Sequence, residues 1–97
     1  MNLESFQQSL VKSEPPNDLS PALKALWYDR KEDWDRAHDI AQEDEGGDGD
    51  WIHAYLHRKE GDNWNANYWY RRAGKTMPDL SLADEWEAIV SVLLRRT

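Results

Sequence analysis

A chain of 97 residues is long enough for one domain with a modest core, and the absence of cysteine removes a disulfide framework and any thiolate chemistry. A net charge of −7 argues against a nucleic-acid partner, and the lack of an apolar run of about 18 residues or a leader-like segment predicts a cytoplasmic protein with no membrane partner. The charge is unevenly spread: residues 1–50 hold five Lys/Arg against thirteen Asp/Glu, and residues 51–97 hold seven against six, so an acidic half precedes a near-neutral half; the division reads as a solvated acidic face, the alternative being head-to-tail contact between chains.

In chain order, Asn2 to Lys12 places Leu3, Phe6, Leu10 and Val11 on one helical face and predicts a short amphipathic helix over 1–12. Residues 13–19 contain Pro15-Pro16 and read as a linker. Ser20-Pro21 supplies an N-cap and a first-turn proline for a helix carrying Leu23, Leu26, Trp27 and Arg30. Asp33 caps a second helix with the stripe Trp34, Ala37, Ile40 and Ala41, closing a helix pair over 20–44. The glycine- and aspartate-rich stretch 45–50 predicts an acidic loop, with Asp50 as cap for a helix that begins at Trp51.

Residues 51–78 then read as helix, tight turn at Gly61-Asp62, and helix. The first carries Trp51, Ile52, Tyr55, Leu56 and Lys59, and the second carries Trp64, Tyr68, Trp69 and Arg72. Gly74 and Pro78 end the unit. In 79–97, Ser81-Leu-Ala-Asp84 resembles a capping box ahead of Leu82, Trp86, Ile89, Val90 and Leu93, the clearest amphipathic pattern of the chain, closed by Arg95 and Arg96. With no alternating strand pattern, the fold class expected is all-α.

Gly61, Ala66, Tyr70, Ala73 and Pro78 fall at the intervals of a tetratricopeptide or Sel1-like helical repeat, and the segment 20–78 resembles that family. Sliding Ala37 onto Ala66, a shift of 29 residues, lays Ala25 on Ala54, Tyr28 on His57, Arg30 on Lys59 and Asp33 on Asp62, with Glu32 in place of the turn glycine. The tetratricopeptide period is about 34 residues. The whole chain also resembles a small bacterial protein, a likeness that implies no activity. The repeat resemblance implies short antiparallel helix pairs with the last helix as a cap. It further implies a non-enzymatic interaction module whose concave face, bearing Leu26, Arg30, Trp51, Tyr55 and Arg58, receives a protein segment or a second copy of the chain. That reading requires Tyr55 and Arg58 to be exposed.

Other chemistry is sparse. No nucleophile elbow, phosphate-binding loop or dinucleotide fingerprint occurs, so no catalytic residue is assigned and no cofactor is expected. Asp44, Asp48, Gly49 and Asp50 echo a calcium loop, but Gly46 and Tyr55 occupy places where ligands are required. His53 and His57 are four residues apart, a spacing at which two imidazoles on one helix reach one metal ion. The repeat resemblance implies that the helix carrying His38 packs near the one carrying His53, which would allow His38 as a third ligand, with Glu60 close by. Against this stands the ordinary role of histidines at core positions, hydrogen-bonded and structural.

Overall fold

A computed structural model describes residues 1–44 and 46–96. They form six α-helices: α1 (Leu3–Gln8), α2 (Pro21–Arg30), α3 (Trp34–Glu43), α4 (Gly47–Lys59), α5 (Asn63–Arg72) and α6 (Leu82–Arg95). No strand occurs among the described residues.

Local chemistry accounts for most helix starts. The Asn2 side chain accepts from the Ser5 amide and the Ser5 hydroxyl accepts from the Asn2 amide, a reciprocal cap on α1. Ser20 caps α2 just ahead of Pro21, Asp33 caps α3, Asp62 caps α5 and Ser81 caps α6. α1 stops at Gln8 and continues as a 3₁₀ turn over Ser9–Val11. Phe6 of the predicted stripe is buried, Leu3 and Leu10 are half-buried, and Val11 is exposed.

The two turns inside residues 20–78 are built alike. Glu32 and Gly61 both have a left-handed backbone, φ 63° and 87°. In each, the following aspartate amide donates five residues back, Asp33 to Tyr28 O at 3.0 Å and Asp62 to His57 O at 2.9 Å. Both aspartates then cap the next helix. Ala25 and Ala54, and Ala37 and Ala66, occupy matching fully buried positions, which lets α3 lie close on α2 and α5 close on α4.

Two expectations are corrected. Gly47 to Asp50 are not loop: they form the first turn of α4, whose N-cap is Gly46 rather than Asp50. Gly49 is buried, and a Cβ there would lie 2.1 Å from the Asp44 carbonyl oxygen and 2.9 Å from that of Ala41. A glycine-rich composition reads as loop, yet here the missing side chain lets α4 start against the end of α3. Glu45 lies outside the described residues. In α5, the buried face is Ala66 and Tyr70, whereas Trp64 and Tyr68 point outward, 78% and 44% exposed. Aromatic rings on all sides of α5 left its period without a clear phase.

α6 packs on α2, α4 and α1. Trp86 is fully buried and its indole N–H donates to the Leu26 carbonyl at 3.0 Å. Phe6 lies against it with ring centroids 5.8 Å apart, and the Arg30 guanidinium sits 3.9 Å above the ring. Nη2 of Arg30 is buried without a hydrogen-bond partner.

Two substitutions test this account. Gly49→Ala forces backbone apart and is expected to lower stability by about 1–3 kcal/mol despite the better helix propensity of alanine. Glu32→Gly relieves a left-handed non-glycine residue, a cost of about 1–2 kcal/mol partly offset by the entropy of glycine, so a net gain of about 0.5–1 kcal/mol is expected. Urea denaturation of both variants measures the two shifts, which have opposite signs.

Candidate metal centre

Three imidazoles converge between α3 and α4. Trp34 opens α3 and its indole N–H donates to the Leu56 carbonyl at 3.0 Å, tying the start of α3 to the end of α4. One turn further on, His38 faces α4, where His53 and His57 stand on successive turns. Potential ligand atoms of the three histidines all lie within 4.8 Å of one another. His38 Nε2 and His53 Nε2 are 2.9 Å apart, and the His53 and His57 rings stack at 4.8 Å.

The walls are aromatic. Trp34 stacks on His38 with centroids at 4.9 Å, and Trp69 of α5 stacks on His53 at 3.9 Å. His53 is 5% exposed, while His38 and His57 are half-buried at the rim. Nδ1 of His57 lies 2.6 Å from Glu60 Oε1. A proton on that nitrogen, donated to the carboxylate, leaves Nε2 of His57 with its lone pair, the orientation that a carboxylate gives a metal-binding imidazole.

Burial is the main reason His38 and His53 disfavour positive charge. It lowers the His38 pKa, with help from His57 and against the opposing pull of Asp39, Glu60 and Asp35. Burial, then His38, His57 and Arg72, bring that of His53 down to about 4. At neutral pH both rings are therefore neutral and one nitrogen of each carries a free pair. In that state a single shared proton accounts for the 2.9 Å contact between His38 and His53.

The arrangement also suits a metal ion. Bond lengths of about 2.0–2.1 Å to zinc place tetrahedral imidazole nitrogens about 3.3 Å apart. The closest pair here is a few tenths of an ångström inside that separation, and the widest is within about an ångström and a half of it. Three histidines leave a fourth position for water or a small anion, as at zinc sites that exchange ligands.

The five residues expected to line a partner groove do share a region, α2 and the adjoining face of α4, but that region is covered. Leu26 is fully buried with its carbonyl under Trp86, and Arg30 lies flat on the same ring. Tyr55 is 3% exposed and donates to Asp29 Oδ2 at 2.9 Å. Arg58 pairs with Glu85 at 2.7 Å and donates to the Leu80 carbonyl. Trp51 is half-buried with the Lys75 ammonium 4.2 Å from its ring. The requirement that Tyr55 and Arg58 be exposed is not met, because α6 lies where a partner segment was expected.

Two carboxylates are buried at this junction: the sequence reads Asp84-Glu85 as a surface run and assigns Asp29 no role, yet Glu85 and Asp29 are 2% and 1% exposed. Asp29 accepts from Tyr55 and from Lys59, the latter at 2.8 Å, and Glu85 accepts from Arg58 and Tyr70. Burial and the adjacent carboxylate raise the pKa of both tyrosines, so each stays a donor. A signal existed: Asp29 falls three residues after Leu26, and Glu85 one before Trp86, on or beside the apolar stripes of α2 and α6.

Compared with protein-family models, with characterised proteins and with solved structures, the chain matches none.

Removal of the Glu85 carboxylate by Glu85→Ala strands Arg58 and Tyr70, and a loss of roughly 3 kcal/mol or more is expected in urea denaturation, since breaking a buried ion pair costs about 3–5 kcal/mol. Acid sensitivity follows from the histidines. In the unfolded chain their pKa is about 6.5, and in the folded chain His38 and His53 are lowered, so the unfolded state binds more protons below that value. Stability is expected to be complete above about pH 6.5 and to fall as pH drops toward about 4, where the loss is full. A series of melting curves across that window checks it, and His53→Gln, neutral throughout, should flatten the slope.

Proposed function

We propose that this protein binds a divalent transition-metal ion through His38, His53 and His57, with Glu60 fixing the orientation of His57. The observation that carries the reading is the meeting of three imidazoles from two helices, with potential ligand atoms within 4.8 Å of one another and charge on His38 and His53 disfavoured by burial. An all-imidazole set is borderline in softness and suits zinc, nickel, cobalt or copper(II) rather than magnesium or calcium, which take oxygen ligands. Trp34 and Trp69 exclude water from two sides and limit ring rotation. The half-exposed edges of His38 and His57 leave a route for the ion and for a fourth ligand.

The architecture proposed for the segment 20–78 is that of two helical repeats, related by the 29-residue shift. Its supports are the matching turns at Glu32 and Gly61, the matching caps at Asp33 and Asp62, and the matching buried alanines. In this reading the metal ligands sit where the second helix of one pair crosses the first helix of the next.

Metal-free protein titrated calorimetrically with zinc, nickel and cobalt is expected to bind one equivalent. It should also melt about 10 °C or more higher at metal concentrations near a hundred times the dissociation constant, where binding adds about 2.7 kcal/mol. Cobalt loading should give the visible absorption of a tetrahedral nitrogen site. His53→Ala and His57→Ala each should weaken binding by a factor of about 100 or more, and Glu60→Gln by roughly ten. No heat, no thermal shift and no cobalt spectrum with the wild-type chain would overturn the reading.

A further inference from the structure

The exposed side of α5 is the most conspicuous unpartnered surface of the molecule. α5 packs chiefly on α4, and its outer face presents Trp64 and Tyr68 one turn apart, 78% and 44% exposed, followed by Arg71 and Arg72. Arg71 makes no ion pair among the described residues, and Arg72 holds Asp50 only at 3.7 Å while leaning over the Tyr68 and Trp69 rings. An exposed tryptophan flanked by tyrosine and arginine is the side-chain set of a protein-binding hot spot.

A cleft with an acidic rim exists on the same chain. Between α2, α3 and the segment ahead of them lies an open cleft of about 630 Å³. Its apolar lining includes Pro15, Pro21, Tyr28 and Ile40, and one rim is formed by Asp39 and Glu43, spaced four apart on α3. Asp35 extends that acidic ridge by one more turn. Lys24 and Arg36 also border the cleft, with the Arg36 guanidinium 4.8 Å from the Tyr28 ring. The volume falls within the range of clefts that take drug-sized ligands, about 300–1,000 Å³, and so leaves room for one indole ring. No residue of α5 lines it, so knob and cleft are separate surfaces.

We propose that the outer face of α5 docks on a second copy of this chain, Trp64 entering the partner copy's cleft between α2 and α3 while Arg71 and Arg72 face its acidic ridge along α3. The charge division of the sequence supports this occupant: the half that supplies the cleft has eight more acidic than basic residues, and the half that supplies α5 has one more basic than acidic. Because the two surfaces differ, a docked pair still offers one free knob and one free cleft. The association is open-ended, and its exposed charges make it salt-sensitive. The proposal is independent of metal binding.

Sedimentation equilibrium tests it. In about 0.05 M salt the weight-average mass of the wild type should climb above the 11.4 kDa of one copy as concentration rises toward about 1 mM, without a plateau at two copies, and should return toward one copy in about 0.5 M salt. Trp64→Ala removes the knob, and Asp39→Lys with Glu43→Lys reverses the rim. All three side chains are exposed, and unchanged helical circular dichroism confirms that each variant folds. Each variant alone should remain monomeric, and an equimolar mixture should form a complex of two copies and no more, joining the intact cleft of one variant to the intact knob of the other. A wild type that stays monomeric overturns the proposal and leaves the α5 face to a different partner. A wild type that saturates at two copies indicates a symmetric contact instead and also overturns it, as does a variant mixture that fails to associate.

Discussion

The fold turns on the burial of Trp86. This one ring fixes α6 against α2 by a hydrogen bond to the Leu26 carbonyl, receives Phe6 of α1 on one side and lies under the guanidinium of Arg30. A single large side chain thus joins the two ends of the sequence to its middle. The contact also explains the polar architecture around it. Once α6 occupies the surface shared by α2 and α4, the long side chains there lose water, and Asp29 and Glu85 supply the acceptors that Tyr55, Lys59, Arg58 and Tyr70 then need. Such networks often contribute less to net stability than an apolar core of equal volume.

The histidine cluster depends on the same framework at one remove. α4 is held by α2 and α6 on one side and by α3 and α5 on the other, so the face bearing His53 and His57 is fixed in rotation. The repeated turn geometry at Glu32 and Gly61 sets the approach of α3 and of α5, and with it the two indole walls. His38 and His53, neutral and stacked on Trp34 and Trp69, make few demands on hydration. A hydrogen bond inside the cluster joins His38 to His53, and His57 is tied instead to Glu60.

Much of this was legible in the sequence where the chemistry is local. The caps at Ser20, Asp33 and Ser81 and the bounds of α6 follow from short-range hydrogen bonding and one clear apolar stripe. The all-α class follows from the absence of alternation. The pair His53 and His57 is visible as a spacing, and His38 as its neighbour across a helix pair; the flanking Trp34 and Trp69 are not, since stacking depends on the crossing of three helices. Burial of Leu26 and Tyr55 beneath α6 is likewise a tertiary fact: a helix face that can accept a foreign segment and one that accepts the chain's own last helix have the same pattern. In α5 the aromatic residues surround the axis, so periodicity could not tell Trp64, which faces solvent, from Tyr70, which does not.

The close contact at Gly49 bears on how this chain can vary. Composition marks the stretch around it, acidic and rich in glycine, as the place where substitutions and insertions should be absorbed most easily. The backbone says the reverse at one position: with main-chain oxygens of Asp44 and Ala41 within 3 Å of where a side chain would begin, no other amino acid fits without moving a helix. Gly46 and Gly47 nearby carry far weaker restrictions, so tolerance to change alternates residue by residue within a single acidic tract. Descendants of this sequence are therefore free to lose most of the tract's character while keeping one glycine, and a search for relatives would do better to anchor on that residue and on Trp86 than on the conspicuous run of charge.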